Sequence, residues 1–330
     1  MSSPPARLLV AVNRRATVEA ALAAALPHVP AVFLSESSPS AWEAVEAALV
    51  GSLVREARGW EPRTVPRLRF VQRVFTGVDD LPFDRFPPSV EIAGNVGGYA
   101  PFVAEHAVAL ALGAARSLIT AHAQVASGRL RPPPTNRTLW GGTAVILGFG
   151  EIGRELAARL RPFGMRIVGV NRTGAPRDGA DAMYPADRLR DAVALGRLVV
   201  DARPLTRATA RSIGATELAA MPDDAIFVNV GRAGTVDEDA LFAHLQSHPN
   251  FRAGLDVWWE EGFADGSLPL RRPWTTLPNL IATPHSAGFA PPVERYALDR
   301  ACANLARFFA GERPLHVVDR SEYGGPDAPA

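Results

Sequence analysis

The sequence predicts an α/β protein built from two doubly wound parallel sheets. Short apolar runs of strand length alternate with segments of helical periodicity along most of the 330 residues, and this alternation is typical of parallel strands connected by helices. One long alanine-rich segment divides the pattern into an earlier and a later part. A chain of this length can bury two separate cores, so each part is predicted to form its own sheet.

The earlier part of the chain ends near Asn95. Helices are predicted after the first two apolar runs, at VEAALAAALPHV and at residues 41–57, AWEAVEAALVGSLVREA. Strands are predicted at four short apolar runs, which are RLLVAV, AVFL, LRFVQRV and VEIAGN.

The alanine-rich segment from Pro101 to Gly128 is predicted to be one long helix. It has proline at a first-turn position and glycine at its end, which is the usual asymmetry of helix termini. The next segment, residues 129–142, is RLRPPPTNRTLWGG. Because proline has no backbone donor and a fixed φ, this segment is predicted to be a linker.

The later part begins at Thr143 and repeats the alternation of strand and helix. A final helical stretch over residues 291–311 is predicted to close back on the first unit. The predicted strands of this part, in chain order, are TAVIL, MRIVGV, LVVDA, AIFVNV, AGLDV and LIATPH.

The composition argues against several classes of protein. Hydrophobic residues make up 47% of the chain, charged residues 21%, and the formal net charge is +1, which gives no electrostatic reason to expect binding to nucleic acid or a membrane surface. The lone cysteine, Cys302, cannot form an internal disulfide, and no apolar stretch approaches the ~20 residues that span a bilayer. No pattern of metal ligands and no G-x-S-x-G motif is present. A cytoplasmic location is expected.

A glycine motif lies between the strand TAVIL and the helix RELAARLRPF. Gly148, Gly150 and Gly153 in GFGEIG match G-x-G-x-x-G, which is a weak signal alone but a stronger one between a strand and a helix. Gly148 would permit the tight turn, Gly150 the approach of a pyrophosphate and Gly153 close packing of helix and strand. The motif therefore favours dinucleotide binding over a plain glycine-rich turn.

The residues that follow the strand MRIVGV indicate which dinucleotide binds. An Asp or Glu usually stands there and binds the ribose 2′-hydroxyl, but this chain has Asn171, Arg172 and Thr173. An amide, a guanidinium and a hydroxyl suit a 2′-phosphate, whereas a carboxylate would repel it. We therefore expect NADP(H) as the preferred cofactor, with NAD(H) as the alternative if Arg172 is only a solvated turn residue.

Three polar residues follow later strands, at the sheet edge where doubly wound folds bind ligands. Arg232 follows AIFVNV, Glu261 follows AGLDV and His285 follows LIATP. Reducing a carbonyl by hydride transfer needs a fixed cation and a proton donor, roles that suit Arg232 and His285, with Glu261 orienting the histidine. Taken singly, each could instead be a surface or turn residue.

Six motifs also occur in the order found in the D-isomer-specific 2-hydroxyacid dehydrogenases, and most of the chain resembles that family. The family includes glyoxylate and hydroxypyruvate reductases and phosphoglycerate and formate dehydrogenases. The motifs are QRVFTGVDDLP, NVGGYAPFVAEHAVALAL, WGGTAVILGFGEIG, RPLTRATARSIGATELAAMPDDAIFVNVGRAGTVDEDAL, AGLDVWWEE and LPNLIATPHSAG.

The resemblance implies roles for individual residues. Arg232, Glu261 and His285 match the catalytic residues, and Arg232 and His285 also contact the substrate. The turn Phe75, Thr76, Gly77 and Val78 matches the family's turn whose N–H groups bind the substrate carboxylate. The matching cofactor contacts are Gly148, Gly150, Glu151, Ile152, Gly153, Asn171, Arg172, Thr173, Thr206, Val230, Gly231, Arg232, Asp256, His285, Ala287 and Gly288.

The resemblance also implies the arrangement of domains. A Rossmann dinucleotide-binding domain, residues 98–287, would be inserted into a flavodoxin-like catalytic domain, residues 1–97 and 288–330. A homodimer formed through the nucleotide domain and the long helix is implied as well. Three residues depart from the usual pattern: Gly262 replaces a proline, Ala233 replaces a glycine, and Arg203 stands where an apolar residue is common.

The expected activity is reduction of a small 2-oxoacid to the D-2-hydroxyacid, of the glyoxylate or hydroxypyruvate type. Formate dehydrogenases of the family pair the histidine with glutamine, whereas this chain has Glu261, which favours a reaction that moves a proton. A formate- or phosphoglycerate-type dehydrogenase is the alternative within the family. Outside it, the alternative is a regulatory protein that senses dinucleotides, which would bind cofactor without turnover.

Overall fold

The structure, a computed structural model, describes residues 7–53, 56–57, 59–130, 136–261 and 266–323. Part of the predicted linker, residues 131–135, and Gly262 lie outside the described residues. The chain divides into two compact units, one made of residues 1–99 with 290–330 and the other of residues 100–289.

The first unit contains a parallel sheet whose strand order, within the described residues, is β2-β1-β3-β4-β5. Each neighbouring pair of strands runs parallel. The order places β3 at the centre of the sheet. The strands are β1 (Arg7–Ala11), β2 (Ala31–Phe33), β3 (Val45–Val50), β4 (Phe70–Arg73) and β5 (Glu91–Ala93).

Helices from the two ends of the chain cover one face of this sheet. They are α1 (Ala16–Ala25) and α8 (Val293–Phe309), and they pack against each other. Leu298, Ala301 and Leu305 of α8 are buried in the same apolar cluster as residues of β1 and β3. The C-terminal helical stretch therefore belongs to the first unit, as the sequence predicts.

The prediction of a helix over residues 41–57 is wrong. Strand β3 occupies its middle, and every residue of Val45–Val50 is buried except the half-buried Glu46. A short apolar run that is buried on both faces has the same composition as a buried helical segment, so periodicity alone does not distinguish them. Residues 45–50 form a strand and not a helix because they pair with a strand on each side at the centre of the sheet.

The second unit contains a larger parallel sheet of strand order β12-β11-β10-β9-β6-β7-β8 in the described part of the chain. The order reverses between β6 and β9, which are paired neighbours, and this reversal creates the crevice in which doubly wound sheets bind ligands. The strands are β6 (Thr143–Leu147), β7 (Arg166–Asn171), β8 (Ala182–Pro185), β9 (Leu198–Asp201), β10 (Ile226–Asn229), β11 (Arg252–Leu255) and β12 (Leu280–Ala282).

The edge strand β8 is missing from the sequence prediction, which places only a helix between MRIVGV and LVVDA. All four residues of β8 are only half buried, so the strand lacks the apolar run that marks the others. The predicted helix exists, but it is short. The helices between the strands are α4 (Glu151–Leu160), α5 (Leu189–Val193), α6 (Ala215–Ala220) and α7 (Glu238–Ser247).

The single helix predicted from Pro101 to Gly128 is two helices in the structure. Helix α2 (Ala100–Ala115) and helix α3 (Leu118–Ala126) are bent by 58° from each other. Ser117 lies at the break with a left-handed φ of 49°, which an L-residue in a continuous helix does not adopt.

No single helix of the described residues is both long enough and apolar enough to cross a membrane. Helices α2 and α3 reach that length and apolar character only when the bent pair is counted together.

Candidate active site

The three predicted catalytic residues lie at the carboxyl edge of the second sheet. Arg232 follows β10, Glu261 follows β11 and His285 follows β12, and these are three consecutive neighbours in the sheet. Because parallel strands end at the same edge, their connecting loops are gathered there. The local geometry of each loop determines how its side chain is held.

His285 is held by a carboxylate and by its own backbone conformation. Its Nδ1 lies 3.0 Å from Oε1 and 2.9 Å from Oε2 of Glu261. The backbone N–H of Trp258 donates to Oε1 of the same carboxylate at 2.8 Å. His285 has a left-handed φ of 53°, a conformation uncommon for a residue other than glycine and found often at functional sites. The structure thus brings Glu261 and His285 into direct contact.

Asp256 fixes the turn that contains His285. The carboxylate is 1% exposed and accepts hydrogen bonds from the N–H groups of Ser286 at 2.8 Å and Ala287 at 3.0 Å. It also accepts from the Thr283 hydroxyl at 2.6 Å and lies 3.3 Å from Nε2 of His106. Burial raises the pKa of Asp256, but these hydrogen bonds outweigh burial and hold the pKa below its ordinary value. The carboxylate is therefore held ionised.

The turn after β10 is tied together around the carbonyl of Arg232. That carbonyl accepts from Nδ2 of Asn229 at 3.1 Å and from the hydroxyl of Thr235 at 2.8 Å. The Asn229 side chain also accepts from the N–H of Gly231 at 3.0 Å. A Cβ on Gly231 would lie 2.5 Å from the carbonyl oxygen of Arg203, so only glycine fits this position without a shift of the backbone. Val230 is 7% exposed at the start of this turn.

The glycine motif has the geometry of an anion-binding turn. Gly148 has a positive φ of 85°, and a Cβ on Gly153 would lie 2.9 Å from the carbonyl oxygen of Gly148. A Cβ on Gly150 would meet nothing within 4 Å, so its backbone faces open space. Helix α4 begins immediately after it, with Glu151 and Ile152 in its first turn. The first N–H groups of a helix lack internal acceptors, so this turn fits a pyrophosphate.

The loop after β7 is organised by the side chain of Asn171. Its Oδ1 accepts from the N–H groups of Thr173 at 3.1 Å and Gly174 at 2.7 Å, and its Nδ2 donates to the carbonyl of Ala175 at 2.8 Å. Arg172 and Thr173 are exposed at the tip of this loop. Asn171 therefore shapes the loop with its amide, while its two neighbours are presented to solvent.

Comparison with known proteins places the chain in a family of dinucleotide-dependent dehydrogenases, in agreement with the glycine turn and the residues at the sheet edge. A family model described as D-isomer specific 2-hydroxyacid dehydrogenase, NAD binding domain, matches residues 108–287. The chain belongs to this family. A glyoxylate reductase of Thermococcus gammatolerans is 32% identical, with 83% of each chain covered. A hydroxypyruvate reductase of Thermotoga maritima is 32% identical over 66% of this chain and 70% of its own.

A solved structure shares the fold of this dehydrogenase over nearly the whole chain. It is a D-isomer specific 2-hydroxyacid dehydrogenase from Xanthobacter autotrophicus Py2, in complex with NADPH and MES. The two chains are 29% identical, the match covers 97% of this chain and 100% of the other, and the TM-score is 0.80. The family and the α/β fold predicted from the sequence are confirmed, as is a nicotinamide dinucleotide as the cofactor.

The predicted carboxylate-binding turn of this dehydrogenase lies in the first unit, directly after β4. The backbone N–H groups of Phe75, Thr76, Gly77 and Val78 form no hydrogen bond to any residue in the described part of the chain. The Thr76 hydroxyl donates to the carbonyl of Asn95 at 3.1 Å, which fixes the turn. Four consecutive donors that find no acceptor among the described residues are suited to an anion.

The remaining predicted cofactor residues are placed around the same sheet edge of the second unit. Thr206 lies in the loop after β9, where its N–H donates to the Thr209 hydroxyl at 2.8 Å. Ala287 is 7% exposed and donates its N–H to Asp256, and Gly288 follows it half buried.

Sequence reasoning missed several residues of this edge. It gives no role to His106, whose Nε2 lies 3.0 Å from the Thr283 hydroxyl and 3.3 Å from Oδ1 of Asp256. It gives Asp201 and Thr235 no role, although both are completely buried polar residues, Asp201 at the end of β9 and Thr235 in the turn after β10. The sequence does contain a pattern that could have identified Asp201 and Arg203. An acidic residue ends an apolar strand, and a basic residue follows it two positions later.

Proposed function

We propose that this dehydrogenase is an NADP(H)-preferring reductase of small 2-oxoacids, of the glyoxylate or hydroxypyruvate type. The observation that carries the proposal is the contact between His285 and Glu261. A histidine held at Nδ1 by a carboxylate has its ring orientation and tautomer fixed. Proton transfer is needed to reduce an oxoacid, so the pair supports that reaction class. The two reductases named above, each 32% identical to this chain, support the substrate class.

His285 is the proposed proton donor. Because Glu261 bonds to Nδ1, the proton would leave from Nε2 toward the oxygen of the substrate carbonyl. The nicotinamide cofactor supplies the hydride of the reaction when it is bound. Oxygen gains negative charge as the carbonyl is reduced, and a donor fixed beforehand stabilises that charge without reorganisation.

Arg232 of the second unit is proposed to bind the substrate, and the turn Phe75 to Val78 of the first unit is proposed as an element that binds a carboxylate. A guanidinium can hold a carboxylate through two parallel hydrogen bonds and polarise the adjacent oxo group. The N–H groups of the turn Phe75 to Val78 are donors suited to a carboxylate. We propose accordingly that residues 98–287 bind the cofactor, and that residues 1–97 with 288–330 form the catalytic domain.

The preference for NADP(H) is proposed from the loop after β7. That loop has no carboxylate at Asn171, Arg172 or Thr173 to bind a ribose 2′-hydroxyl and repel a 2′-phosphate. Arg172 and Thr173 are exposed, so both side chains are accessible to the 2′-phosphate of a bound cofactor. The NADPH complex of the Xanthobacter relative is a further support for this cofactor.

The function is tested by following NADPH and NADH oxidation in parallel against glyoxylate, hydroxypyruvate, pyruvate and phenylpyruvate. We expect NADPH to be consumed faster than NADH, with glyoxylate or hydroxypyruvate as the best substrate. The variant Arg172→Ala should raise KM for NADPH and leave KM for NADH unchanged. Oxidation of neither cofactor, although both bind, would contradict the reductase, and a preference for NADH would contradict only the cofactor choice.

A homodimer is proposed on the basis of exposed apolar residues in the second unit. Leu118 is 56% exposed, Ile119 58% and Val125 69%, all on helix α3. Leu130 and Trp140, which flank the proline segment, are 100% and 70% exposed. Exposed apolar side chains that follow one another along a helix, as on α3, are typical of protein interfaces.

A further inference from the structure

A buried ion pair lies next to the turn that carries Arg232. Asp201 ends strand β9 and is completely buried, and the Arg203 side chain is 10% exposed. Nε of Arg203 donates to Oδ1 of Asp201 at 2.9 Å, and Nη2 donates to Oδ2 at 2.7 Å. Two parallel bonds between a guanidinium and a carboxylate form the most directional ion pair that proteins use.

The guanidinium of Arg203 is held charged, and each of its three nitrogens donates a hydrogen bond. Burial lowers the pKa of Arg203, but the adjacent Asp201 carboxylate outweighs burial and raises it above its ordinary value. The third guanidinium nitrogen, Nη1, donates to the hydroxyl of Ser212 at 3.0 Å. The backbone N–H of Arg203 donates to Oδ1 of Asp201 at 3.0 Å. The charges therefore compensate each other inside the unit.

Thr235 connects this ion pair to Arg232. Its hydroxyl lies 2.9 Å from Oδ2 of Asp201 and 2.8 Å from the carbonyl oxygen of Arg232, so its one proton is shared between two acceptors. Thr235 is completely buried. The backbone of Arg203 also approaches Gly231 closely, because a Cβ on Gly231 would lie 2.9 Å from the Arg203 nitrogen. Asp201 thus contacts, through one hydroxyl, the residue proposed to bind substrate.

The stability of the fold does not explain why this pair is present. Replacing a buried ion pair with well-packed apolar residues often leaves stability unchanged or increases it, because burying two charges is costly. A site that must hold a cation in one orientation has a different requirement, since a shift of ~1 Å in a binding group can cost roughly 10²-fold in rate. A rigid, directional pair meets that requirement.

We propose that Asp201, Arg203 and Thr235 are positioning residues that fix the Arg232 turn for catalysis. The ion pair holds Oδ2 of Asp201 in place, Oδ2 orients the Thr235 hydroxyl, and the hydroxyl fixes the carbonyl of Arg232. The inference rests on the proposed role of Arg232 in binding substrate. It deepens that role, because it names the residues through which the orientation of Arg232 is set.

The test compares Thr235→Val, which removes the hydroxyl at nearly constant volume, with Thr235→Ser, which keeps it. For Thr235→Val we expect kcat with the best oxoacid to fall by about 10- to 100-fold, with the Kd for NADPH and the Tm close to those of the parent. Thr235→Ser should restore most of the lost rate. Thr276→Val is the matched control, because Pro273 supplies the only acceptor for that exposed hydroxyl in the described part of the chain.

A double-mutant cycle between Asp201→Asn and Thr235→Val tests the connection itself. If the two residues act in one chain of contacts, their effects on kcat are not additive and the double variant loses little more than either single one. Additive losses, or a Thr235→Val enzyme with unchanged kcat, would overturn the inference. If Thr235→Val does not fold, Thr235→Ala is measured in the same way.

Arg232→Lys separates this inference from the proposed function. If Arg232→Lys keeps full activity, the assignment of Arg232 to the substrate fails, and the inference fails with it. If Arg232→Lys is inactive while Thr235→Val is normal, the proposed function stands and only the positioning role is wrong.

Discussion

At the scale of single residues, three carboxylates at the carboxyl edge of the second sheet each hold a neighbouring turn. Asp256 binds the N–H groups of residues 286 and 287, Glu261 binds the ring of His285, and Asp201 binds the side chain of Arg203. Each accepts two or more hydrogen bonds, which hold its carboxylate in one orientation. These carboxylates act by fixing the groups around the proposed substrate site.

Replacing His285 with alanine tests the proposed proton donor. We expect kcat to fall by about 10²- to 10⁴-fold, since that is the usual contribution of a positioned acid or base. Binding of NADPH, measured by fluorescence titration, should be retained. The control is His28→Ala, because His28 is exposed in the first unit. A His285→Ala enzyme with normal turnover would show that another group delivers the proton.

The sequence predicts Arg232, Glu261 and His285 as catalytic residues because each comes shortly after an apolar strand and lies in a motif that resembles the family. It does not identify His106, whose partners Thr283 and Asp256 come from other parts of the chain. A histidine on an apolar helix is usually a packing residue, and only the folded chain shows which carboxylate it approaches. Asp201 and Thr235 were missed for the same reason, since their contact spans two loops.

At the scale of elements, the glycine motif offers a matched pair of substitutions. Gly153→Ala should lower the free energy of unfolding by about 1–3 kcal/mol, the usual cost of overpacking, because its Cβ would lie 2.9 Å from the carbonyl oxygen of Gly148. Gly150→Ala should leave stability nearly unchanged, because its Cβ would meet nothing within 4 Å. Urea unfolding measures both effects.

The same pair separates packing from cofactor binding. If the open space at Gly150 is where a pyrophosphate approaches, Gly150→Ala should weaken NADPH binding by about tenfold or more, since a steric conflict of this kind costs over ~1.4 kcal/mol. Unchanged affinity in a well-folded Gly150→Ala protein would argue against this use of the turn.

The arrangement of elements was predictable where apolar runs are bounded by turn residues, as at Thr143–Leu147 and Ile226–Asn229. It was not predictable at Val45–Val50, where a buried strand and a buried helix share one composition. Nor did the sequence reveal the break at Ser117, because the surrounding alanines and leucines favour a continuous helix. Both outcomes depend on packing within a unit, which local sequence does not encode.

At the scale of the whole molecule, His244 makes stability depend on pH. Burial, together with the neighbouring His248, lowers the pKa of His244 from 6.5 to about 4. Between these two values the unfolded chain binds more protons than the folded one, so stability is full above pH 6.5 and decreases as the pH falls toward 4. We expect His244→Leu to flatten this dependence in urea unfolding measured from pH 7.5 to 4.5. An equally steep dependence in the variant would assign it to other groups.

The proposed homodimer is tested by placing a charge among the exposed apolar residues of helix α3. Ile119→Arg should convert a species of twice the chain mass to a single chain in sedimentation equilibrium, because an unpaired charge is costly in an apolar interface. The control is Leu315→Arg, since Leu315 is 49% exposed in the first unit. A parent protein that sediments as one chain would contradict the proposal directly.

The return of the chain to its first unit has a consequence for biosynthesis. Helix α8 covers part of the first sheet, burying Leu298, Ala301 and Leu305 beside β1 residues Leu8 and Val10. On the ribosome this helix emerges only after the whole of residues 100–289 has been made. Domains usually complete their folding in the order of synthesis, but here the inserted unit can finish before the one that starts the chain. A nascent chain stalled before Val293 would present an uncovered apolar face to chaperones.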